Sequence, residues 1–198
     1  MHKHEPNDFT LLGRLAAHAE AAAESLRSAL RTAFSAPAQG TAIQADARTL
    51  YRQLLNRLEH EFVPPMERRD LVLLAERLFA LVSALTVAES TLRGTPYLTV
   101  TEGLRGIGQA LWSAAKLLLT QLAELPHGAR LQAQTFALLA AVEQIDACCA
   151  SELGILAVSG ASAGMTVARY AAISRLRAAG QAFAAAAESI AAASVNNG

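Results

Sequence analysis

The chain has 198 residues, with seventeen basic and seventeen acidic side chains, 53% hydrophobic residues, 5% aromatics and two cysteines. This is enough apolar material for one or two compact domains, and the zero net charge excludes nonspecific binding to nucleic acid or to an anionic membrane surface. Alanine and leucine dominate while β-branched and aromatic residues are scarce, so the composition is that of an all-α protein.

Asn7 or Asp8 can cap a first helix carrying Phe9, Leu12, Ala16, Ala19, Leu26, Leu30 and Phe34 on one face, predicted to end near Pro37 and Gly40. A second helix aligns Ile43, Ala47, Leu50, Leu54, Leu58 and Phe62, and stops where Pro64 and Pro65 withdraw two backbone donors. Leu71, Leu74, Leu78, Leu81, Leu85, Ala88 and Leu92 then alternate three and four apart, the stripe of a third helix that breaks at Gly94, Thr95 and Pro96. The fourth carries Leu104, Ile107, Leu111, Leu118, Leu122 and Leu125 and ends at Pro126 and Gly128. The fifth carries Leu138, Val142, Ile145 and Cys149. The sixth carries Ile173, Leu176, Gly180, Phe183, Ala187 and Ile190, a seam of small side chains. Six long antiparallel helices of roughly 20 to 30 residues are therefore expected, about 30 to 45 Å long, with pseudo-repeat halves spanning roughly 7–94 and 95–195.

The longest uncharged stretch, from Glu152 to Arg169, is broken by Gly154, Gly160 and Gly164 and reads as a helix end, a turn and a helix start, so no membrane span is expected. The polar first seven residues lack the apolar run of a secretory signal, and a cytoplasmic location is expected. Cys148 and Cys149 are adjacent on a helix, too divergent to bridge each other, and read as buried free thiols. About two-thirds of the charged residues precede Gly94, which leaves the second half as a candidate contact surface and makes a homodimer plausible.

No spacing in the chain supports hydrolysis, phosphoryl transfer or zinc binding. His18, His60 and His127 stand alone, and His2 and His4 sit in the polar tail. Neither cysteine has a neighbouring base or cation, since Asp146 and Glu152 oppose thiolate formation. Two carboxylate pairs share a helix face, Glu20 with Glu24 and Glu143 with Asp146, and the second is the candidate metal pair because hydrophobic residues surround it. Arg48 and Arg52, with Arg68 and Arg69, could form a local anion site, but surface ion pairing with Glu67, Asp70 or Glu76 explains them more cheaply. The residue pattern gives neither an enzyme nor a cofactor.

The stretch LEHEFVPPMERRDLVLLAERLFALVSAL, from Leu58 to Leu85, resembles the PhoU-like proteins of the phosphate-transport regulator or Pit accessory branch. Phe62, Pro65, Arg68 and Asp70 match in order the family pattern F-I-T-P-x-x-R-x-D-I at the corner between helices two and three. The resemblance implies a PhoU-like bundle of two three-helix halves. It also implies a non-enzymatic accessory protein of inorganic phosphate transport, acting through contact with a phosphate transporter or its regulatory proteins and reaching a membrane only through that partner. Family members hold multinuclear metal clusters on carboxylates of helices two, three and five. In this chain those positions fall on Gln44, Arg48, Phe79, Ala80 and Ser83, none suited to hold a dication, while Glu143 and Asp146 lie near the expected pair of helix five. The alternative reading is a metal-binding helical bundle with a residual site at Glu143 and Asp146.

Overall fold

The computed structural model describes residues 7–60, 64, 66–95, 98–125, 132–160 and 162–196. These form six helices: α1 (Asp8–Arg31), α2 (Gly40–His60), α3 (Arg68–Gly94), α4 (Glu102–Glu124), α5 (Gln132–Val158) and α6 (Ala163–Asn196). The all-α reading holds, and the described residues contain no strand. Phe62, Val63, Pro65, Pro96, Pro126, His127 and Gly128, with His2 and His4, lie outside the described residues.

Side chains cap three helix starts, with Ser162 Oγ accepting from the Met165 amide at 3.4 Å ahead of α6. Asn7 caps α1, its Oδ1 accepting from the Thr10 amide at 2.8 Å and from the Thr10 hydroxyl at 2.7 Å. Thr101 caps α4 by accepting from the Leu104 amide at 3.1 Å. The predicted stripes of α3, α4, α5 and α6 are buried at every position named above. The 3.6-residue period thus carries directly into the core, and the apolar area it removes from water supplies the main stabilising term.

The first helix departs from expectation. It ends at Arg31, six residues before Pro37, because Ala33 and Phe34 turn into the left-handed region at φ 46° and 68°. Phe34 N–H donates to the Ala29 carbonyl at 2.7 Å and Ala33 N–H to Leu30 at 3.4 Å, the reciprocal pair that closes a helix C-terminus around a left-handed residue. Phe34 consequently lies beyond the helix rather than on its stripe. The sixth helix, at 34 residues, exceeds the expected length.

α1, α3, α6 and α4 form a closed inner ring, each packed on the next, with α2 laid outside against α1 and α3 and α5 outside against α4 and α6. Cross-links fix the directions. Arg57 near the end of α2 meets Asp8 at the start of α1, and Asn196 at the end of α6 donates to Asp70 in the first turn of α3 at 3.2 Å, so both pairs run antiparallel. By length and composition α3 is the one described helix apolar enough to cross a membrane. It is in contact with α1, α2 and α6, and its leucine stripe is buried in the bundle.

Candidate functional site

Three of the positions that the resemblance singles out, Gln44, Phe79 and Ser83, lie in the α2–α3 contact and carry neutral groups. Gln44 Nε2 donates to Ser83 Oγ at 3.0 Å, and Tyr51 stacks on Phe79 with centroids 5.1 Å apart and planes within 7°. The two contacts share one antiparallel register, which explains why these residues meet. Arg48 and Ala80 point to solvent. Burial and the charge of Glu76 push the Tyr51 hydroxyl above its usual range, so it stays protonated and offers no anionic oxygen. An amide, a hydroxyl and two rings satisfy one another here.

On α5, Glu143 is exposed and Asp146 is half-buried, with Oδ1 accepting from Arg177 Nε of α6 at 3.1 Å. The pair is therefore split between solvent and an interhelical ion pair. Among the described residues, no three His, Cys, Asp or Glu side chains gather in a way that could hold a metal ion. Cys149 is fully buried and Cys148 half-buried, a correction to the expectation that both are enclosed. Burial first, then the negative charge of Asp146, push the Cys149 thiol up to about 12, so at neutral pH it is an inert hydrophobic side chain.

Glu20, Glu24 and Ser28 edge an open cleft of about 470 Å³ between α1 and the α1–α2 connection, with Pro37 and Gln39 opposite. Their carboxylates are engaged. Glu20 accepts from Trp112 Nε1 at 3.1 Å, and Glu24 holds Arg27 through two bonds of 2.6 and 2.7 Å, raising the Arg27 guanidinium above its usual range. Arg27 lies over the Trp112 ring at 4.1 Å, a cation–π contact that joins α1 to α4, and Lys116, one turn on in α4, lies over the same ring at 3.8 Å. Arg48, Arg52, Arg68 and Arg69 are all exposed.

Sequence reasoning missed a buried polar strut. Glu89, 2% exposed, accepts from Ser25 Oγ at 2.8 Å and from Arg93 Nε at 2.9 Å, and Arg93 Nη1 donates to the Phe34 carbonyl at 3.1 Å. The strut ties α1, α3 and the left-handed turn into one unit. Its signal was available, because Glu89 is four residues from both Leu85 and Arg93, inside the apolar stripe and already paired. With Ser25 and Arg93 both donating to it, the buried Glu89 carboxylate ties the helices together.

No protein-family model matches the chain, and no curated protein matches it.

Proposed function

We propose that this chain is a non-enzymatic accessory protein of inorganic phosphate transport that works from the cytoplasm by contact with a transporter or its regulatory proteins. In this reading the bundle is a PhoU-like arrangement of two three-helix halves, with α2 and α5 in corresponding outer places. The observation that carries it is the α2–α3 face: where the resemblance calls for carboxylates, Gln44 bonds to Ser83 and Phe79 stacks on Tyr51. Neutral groups that satisfy one another favour recognition of another surface over capture of a cation. The weakly charged exterior of the second half supports the same reading.

The test is to purify the tagged chain from phosphate-starved and phosphate-replete cells and to measure phosphate uptake in a deletion strain. Co-purification with a phosphate permease and altered uptake are the expected results. Normal uptake at every phosphate concentration, with no permease recovered, overturns the proposal. Stoichiometric metal in chelator-free protein, lost in Glu143→Ala, replaces it with the metal-binding reading.

A further inference from the structure

Helix α5 leaves one long face in solvent, and its composition is unusual for an exposed surface. From Phe136 to Val158 it runs about 33 Å. Phe136 is 70% exposed at one end and Val158 is 84% exposed at the other, so large apolar side chains stand free at both extremities. Between them the outward positions are mostly alanine and glycine, with Glu143 the one charged residue. On an ordinary outer helix this face would be polar.

The face has a second property, independent of its apolarity: it is complementary to itself about Ala147. Positions equally distant from Ala147 mostly match in size, with Gln144 against Ala150 and Glu143 against Ser151 as exceptions. Phe136 stands level with Val158, and Ala140 with Gly154. Glu143 stands level with Ser151, so the only carboxylate is set against a hydroxyl that can donate to it rather than against its own copy. Ala147 meets Ala147, where the smallest side chains allow the closest approach. This is the pattern demanded by a two-fold axis, on which each residue of one patch must suit its mirror position in the same patch.

We infer that the exposed face of α5 is an antiparallel two-fold interface with a second copy of this chain, centred on Ala147. A strip of this length offers about 400 Å² per copy, which places the contact among weak, concentration-dependent dimers rather than obligate ones. The inference stands apart from the transport reading, because it concerns the purified chain with no transporter present.

Sedimentation equilibrium of the full chain across the micromolar to low-millimolar range tests it. The wild type is expected to move from monomer towards dimer. Ala147→Glu, which sets like charges on the axis, should weaken the dimer by about tenfold or more. Ser151→Lys should strengthen it by roughly threefold, since each lysine gains the partner's Glu143, whereas Ser151→Glu should weaken it. Both positions are solvent-exposed, so the three variants keep the fold, and circular dichroism verifies this. A wild type that stays monomeric throughout overturns the inference and leaves the face to a different protein. A dimer indifferent to Ala147→Glu, or one that responds alike to Ser151→Lys and Ser151→Glu, also overturns it. Normal phosphate uptake in the deletion strain, with the dimer intact, would count against the transport reading alone.

Discussion

α2 and α5 occupy matching outer places, one against α1 and α3, the other against α4 and α6, yet they are held by different means. α2 buries few residues and adds polar ties to its packing: Arg57 to Asp8 at 2.8 Å, Gln44 to Ser83 at 3.0 Å and the Tyr51–Phe79 stack. Its outer surface carries Asp46, Arg48, Arg52 and Glu59, which water solvates without help. α5 inserts Leu138, Val142, Ile145 and Cys149 into the core but turns a second, nearly uncharged surface outward. One flank is finished by solvent and the other is not. The difference teaches that a charge-poor helix at the rim of a bundle reports a missing neighbour better than total hydrophobicity does.

The comparison can be broken in several places. Phe183 is the largest fully buried side chain and belongs to the packing-dominated side, so Phe183→Ala should cost about 3–5 kcal/mol in denaturant titrations. A smaller cost would mean that α6 collapses onto the vacated space and that this side is more plastic than its close packing suggests. On the opposite side, Glu89→Ala leaves Arg93 beneath the surface without its counter-charge, and a loss of about 3 kcal/mol is expected in the same assay. Equal tolerance of this change and of any surface substitution would remove the distinction between the flanks.

Cys149 sharpens the contrast through pH. Its thiol titrates near 9 in an unstructured chain and about 12 in the fold, so the native state keeps a proton that the unfolded state releases. Stability from this group is present in full below pH 9 and declines as pH rises towards 12. Cys149→Ala should flatten that part of the profile when unfolding is measured above and below pH 9. Ala33→Gly, at a left-handed position, should raise stability by about 0.5–1 kcal/mol and the melting temperature with it. The smallest change is expected from Arg177→Ala, whose partner Asp146 is itself a third exposed: under about 0.5 kcal/mol by thermal melting.

Most of the fold was legible because helical periodicity is a local property. The stripes from Leu71 to Leu92 and from Ile173 to Ile190 state their own burial, and glycine or proline marks the ends of α2 and α3. The end of α1 was not legible. Nothing in Ala33 or Phe34 announces a left-handed conformation; it is imposed by tertiary contacts, the Arg93 grip on the Phe34 carbonyl among them. The polar strut was half legible, since Glu89 and Arg93 are visibly paired by spacing whereas Ser25 lies sixty-four residues away. For Glu143 and Asp146 the spacing gave no sign that Arg177, from another helix, engages one of them. Interhelical partners depend on how the rods are rotated against each other, which no single segment encodes.

The segment between α1 and α2 has a consequence for handling the protein. Pro37, Ala38 and Gln39 are open to solvent, yet the chain around them is fastened at both ends: Thr32 Oγ1 accepts from Ala36 N–H at 3.2 Å, Arg93 holds Phe34, and Gly40 on the far side is buried at the start of α2. A protease needs slack backbone that it can draw into an extended form, and accessibility without slack does not provide it. This stretch should therefore survive limited digestion despite its exposure, so nicking within it would report that the buried strut had already let go.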